Sequence, residues 1–213
     1  MNRKLIATLI LALSPLAAQA TVRDEVRGDL DQARQEVRTE MAQERAKLDS
    51  ENLTLGDSLQ FGKEDRREAA KRQSLPKGEI TPQGDLLVGG KAVAIDAAQR
   101  RQLLDYRKQV IGLARTGIDA GEQAAMVAID LTNVSLFHLI VGGMTGSLER
   151  RVEASVKQNI EPMVLQICRS LPQLRDSQQV LAASLPEFRP YATLDEDDVR
   201  DCERDVRDEL ASR

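Results

Sequence analysis

The side chains with the most distinctive chemistry in this 213-residue chain are few: Cys168, Cys202 and the one histidine, His138. The cysteines stand 34 positions apart, so they do not form a C-x-x-C exchange pair. Each falls on the apolar face of a predicted helix, and in an oxidising compartment two nearby thiols join. The expectation is a structural disulfide stapling the last helix to the helix that ends near Leu171, with roughly 3.5–4 kcal/mol of chain entropy behind it. Two buried free thiols are the alternative. A hydrolytic triad at His138 would need Ser135 or Ser147 as nucleophile, with Asp130 behind. Eight helical positions put Asp130 and His138 about 80° apart and two turns along, a poor pairing. A packed or surface histidine is expected instead. A single histidine also leaves no multi-histidine metal centre.

Other candidate motifs are weaker. VGGMTG at 141–146 is glycine-rich, but it lacks the Lys-Ser/Thr ending of a phosphate loop and follows no predicted strand. A turn between helices explains it. The acidic run Asp195, Glu196, Asp197 and Asp198 lacks the glycine and spacing of a calcium loop. Acids in the first turn of a helix account for it, since they complement the helix dipole. The 34 acids single out no pair for glycoside cleavage, and five aromatics leave little surface for sugars or bases to stack on. In LPEFRPY, Phe188 and Tyr191 sit between prolines. They either anchor a loop in the core or form a rigid partner-contact patch. A net charge of −4 argues against a nucleic-acid binder. No catalytic residue, cofactor site or metal site is expected.

The elements that must position these residues are mainly helical. Residues 21–50 are dense in charge, with Val22, Val26, Leu30, Ala33, Val37, Met41 and Leu48 forming one thin stripe. Such a helical arm is solvated, docks loosely or pairs with another helix. Asp24/Arg27, Asp31/Arg34, Glu44/Lys47 and Arg45/Asp49 are spaced to pair along its surface. Residues 51–78 lose the period and read as a linker, with at most a short strand within 53–61. Two turns, Pro82-Gln83-Gly84-Asp85 and Gly89-Gly90-Lys91, divide three short strands, a small β-meander over 79–96. Asp96 is placed to cap a helix over 97–115, which Gly117 should break.

Residues 118–141 are the most apolar part after the leader, with Asp119, Glu122, Gln123, Asp130 and Asn133 gathered on one stripe. That pattern predicts a central helix enclosed by protein on most sides. A further helix is expected over 148–171, kinked at Pro162, then a shorter one from Pro172. Thr193 and Glu196 have capping-box spacing ahead of a last helix with Val199, Cys202, Val206 and Leu210 on one face. The fold class is therefore α+β, mainly α. A β-meander packs with a four- to five-helix bundle over 79–213, preceded by the charged arm.

The first twenty residues read as an address. Arg3 and Lys4 precede an apolar run from Leu5 to Leu16, and Ala18 and Ala20 offer the small residues that signal peptidase requires before Thr21. About a dozen apolar residues are too few to span a bilayer, which needs roughly 20. Thr21 is no lipid-accepting cysteine, and the start lacks Arg-Arg, so the general secretory route is expected. Removal of 1–20 takes two cations away and makes the net charge −6.

The segment ITPQGDLLVGGKAVAIDAAQRRQLLDYRKQV resembles the YggN-like family of uncharacterised secreted proteins of proteobacteria. The resemblance covers about 79–115 and extends more weakly to about 185. It implies a periplasmic location and no activity. The charged stretch 21–72 departs from the family's shorter start, and the cysteine that some relatives carry near the mature N-terminus is absent. The expected role is a non-enzymatic interaction or structural protein of the cell envelope, engaging a protein partner or a second copy through the N-terminal helix. The other reading is a binder of a lipid or other apolar ligand through 118–146.

Overall fold

A computed structural model describes residues 15–56, 74–141, 154, 155 and 158–211, with the backbone alone for 15–24, 132–141, 203, 205, 207 and 209–211. The fold is mainly helical with a small sheet, as the residue pattern predicts. In chain order it has α1 (Pro15–Ser50), β1 (Leu53–Leu55), β2 (Gly78–Ile80), β3 (Leu86–Val88), β4 (Lys91–Ala92), α2 (Ala97–Val141), α3 (Glu161–Ser184) and α4 (Glu196–Ala211), with a 3-10 turn at Arg189–Tyr191 before α4. Ala18, Ala20 and Thr21 lie within α1. Residues 1–14, which hold most of the leader's apolar run, fall outside the described residues, as do 142–150.

The sheet is antiparallel in the order β1-β2-β3-β4. The boundary drawn between linker and domain falls inside it. Leu53 pairs with Ile80, and Ile80 with Leu86, so β1 extends the meander by one strand. Alternation then puts Leu53, Ile80 and Leu86 on one face, with Leu55, Gly78 and Val88 beside them. Gly89 and Gly90 both have positive φ (57° and 76°), the backbone of a tight two-residue hairpin. Gly78 answers a different demand: a Cβ there would lie 2.7 Å from the Tyr191 ring.

Asp96 caps α2 as expected. Its Oδ1 accepts from the Ala98 and Gln99 amides at 2.7 and 2.8 Å, and the Gln99 side chain accepts from the Asp96 amide at 2.9 Å. Gly117 does not break the helix; α2 runs unbroken for 45 residues, about 65 Å. A helical glycine costs only about 1 kcal/mol, and packing on both sides of Gly117 outweighs it. Pro162 lies in the first turn of α3, where its missing N–H has no partner to lose, so it starts a helix rather than kinking one. Pro172 lies inside α3, not at a new start. The buried Leu171 and Leu174 flank it and hold the helix through the lost hydrogen bond.

The cap of α4 is also displaced from its expected place. Asp195 Oδ1 accepts from the amides of Asp197 and Asp198, and Asp198 Oδ2 accepts from the Asp195 amide at 2.9 Å. The box is Asp195–Asp198, not Thr193–Glu196. An aspartate side chain is as good a cap as threonine.

The core lies where the sheet, the first half of α2, α3 and the 3-10 turn meet. Ile80, Leu86, Leu103, Leu171, Leu181 and Phe188 are fully enclosed there. Helix α3 runs antiparallel to α2. Ser184 Oγ donates to Gln102 at one end, and Gln109 Nε2 donates to Ser177 Oγ further along. Helix α1 packs on α2. Among the described residues no helix is long and apolar enough to cross a membrane.

Candidate functional site

The two cysteines meet. Cys168 Sγ, on α3, lies 2.05 Å from Cys202 Sγ, on α4, a disulfide distance, and both side chains are buried. Phe188 and Tyr191 are placed differently from a partner-contact patch. Phe188 is 0% exposed and Tyr191 5%, so neither is available to a partner. Their apolar bulk fills the space between sheet and helices. The Phe188 ring stands edge-on to Tyr106 at 5.4 Å, and Tyr191 Oη donates to the Pro76 carbonyl at 2.5 Å. Of the two readings of LPEFRPY, the structure has the one in which both aromatics anchor the loop in the core. His138 and the VGGMTG segment lie where no side chain is described.

Most polar groups inside the body are paired; Arg107 Nε is buried with no hydrogen-bond partner among the described residues. Gln178, buried on α3, donates to the Tyr191 carbonyl at 3.2 Å and accepts from the Leu194 amide at 2.9 Å. It also hydrogen-bonds Tyr106, whose hydroxyl burial pushes up to about 12. Tyr106, Gln178, Tyr191 and Thr193 surround a cavity of about 20 Å³, which suits about one water. These groups carry the marks of a satisfied interior, not of a reaction centre.

A second polar set organises the long helices. Arg107 is 4% exposed, and its Nη atoms donate to the carbonyls of Leu48, Asp49 and Glu51 at 2.7–3.2 Å. Those carbonyls end α1, where a cation meets the negative end of the helix dipole. Burial lowers the pKa of Arg107, and the Asp49 charge opposes that shift. Further along, Arg115 donates to Asp49 at 2.6 and 2.7 Å, Arg45 to Asp119 and Glu122 at 2.6 Å, and Arg34 to Asp130 at 2.7 Å. The hydrogen bonds that Arg45 donates to Glu122 and then Asp119 raise the pKa of its guanidinium. The pairs run in opposite directions along the two helices, so α1 and α2 form an antiparallel hairpin.

This ladder overturns two expectations. Asp31–Arg34 and Glu44–Lys47 pair along α1 as expected, but Arg45 and Asp49 each reach across to α2 instead of meeting one another. Residues 118–131 are not enclosed on most sides: Ala120 is buried, whereas Gly121 and Gln123 are exposed and Ile118, Ala125 and Ile129 half-buried. A signal for the ladder lay in the sequence. Asp119, Glu122 and Asp130 share a stripe on α2, and Arg34 and Arg45 share the stripe of Val37, Met41 and Leu48 on α1. Matching the two in reverse order yields the observed pairs.

Two open grooves flank α2. One, near 690 Å³, lies between α2 and α3 along Gln102, Asp105, Lys108, Asp176 and Val180. The other, near 560 Å³, lies beside the Arg45 ion pairs and reaches Asn159 and Met163. The lining residues of both are mostly polar types, but the side-chain stems and exposed Val180 make the surface of the first groove more apolar than polar, whereas the second is the more polar. Among the described residues no cluster of three or more potential metal ligands occurs. Comparison with family models, with curated proteins and with solved structures finds no match to this chain.

Proposed function

We propose that this chain is an exported, periplasmic protein of the YggN-like kind that works without catalysis, by engaging another protein through the flank of the α1–α2 hairpin. The observation that carries this reading is the outer half of α2. There Ile118, Gly121, Ala125 and Ile129 recur at steps of three and four, so they share a face, and none of them is buried. Half-buried apolar side chains around an exposed glycine let a partner helix approach closely. The arginine ladder holds α1 to α2, so this flank is presented on a stiff support. The disulfide-distance cysteine pair supports an oxidising compartment. Among the described residues the interhelix ion pairs begin at Arg34, so cleavage after Ala20 would leave these pairs intact.

A photo-crosslinking residue at Ala125, in protein expressed with its leader, should give a discrete adduct in the periplasmic fraction, and the same residue at buried Leu103 should not. Loss of the Ala125 adduct on Ile129→Asp, with the helical circular dichroism unchanged, completes the expected pattern. Absence of any adduct, or an N-terminus still at Met1, would count against the reading. A lipid co-purifying in native mass spectrometry would favour the apolar-ligand binder instead.

A further inference from the structure

We draw no further inference here: the strongest candidate, the open groove between α2 and α3 walled by Asp105, Lys108, Asp176 and the exposed Val180, carries none, because nothing among the described residues shows what covers it.

Discussion

The two halves of α2 are held by different forces. Over 97–115, Leu103, Tyr106, Val110 and Leu113 are buried against the sheet and α3. Over 118–131, Ala120 is buried, and the cross-helix arginine pairs supply the specific contacts. One helix thus passes from a body where burial provides the free energy to a hairpin where charge provides the register. Exposed ion pairs contribute about 0–1 kcal/mol each, whereas one enclosed large side chain contributes several times that. The body should therefore set the stability of the molecule, and the hairpin its shape.

The sharpest break of that contrast is Phe188→Ala. Phe188 is fully enclosed, so the cavity should cost about 3–5 kcal/mol, read as a lower midpoint in urea unfolding. A loss under about 1 kcal/mol would mean that the body is not the stabilising half. Alkaline pH is a milder probe of the same half. The Tyr106 hydroxyl titrates near 10 in the unfolded chain and at about 12 in the folded one. Its raised folded value means the contribution is complete below pH 10 and is lost as pH rises from 10 through 12. Urea midpoints should fall across that window, and Tyr106→Phe should flatten the fall. The smallest effect should come from the hairpin. Arg45→Ala is expected to lower the urea midpoint far less than Phe188→Ala does, and 1 M salt should shrink even that difference. A loss as large as that of Phe188→Ala would erase the distinction between the halves.

The local elements were largely legible. The cap at Asp96, the two turns of the meander and the apolar faces bearing Cys168 and Cys202 follow from short-range rules, and the structure has each of them. Where the sequence misleads, a longer-range term prevails. Gly117 and Pro172 are helix breakers by propensity, yet both lie within helices whose neighbours are packed. At Phe188 and Tyr191 the core-anchor reading holds and the contact-patch alternative does not, because prolines stiffen a loop without saying which way its rings point. The partners of Arg34 and Arg45 lie 96 and 74 positions along the chain, so spacing within one helix could not find them. The apolar stretch of α2 asks for cover but does not say how much it receives.

The grip of Arg107 on Leu48, Asp49 and Glu51 has a consequence for how the arm can vary in length. Inserting one residue between Arg45 and Leu48 would turn everything before it by about 100°, carrying Arg45 and Arg34 off their acids while the far end stayed pinned. Among the described ion pairs none between the two helices lies ahead of Arg34, so a change of length there leaves this register in place. Homologous chains, if they share this clamp, should hold constant the count of residues from Arg34 to the first strand.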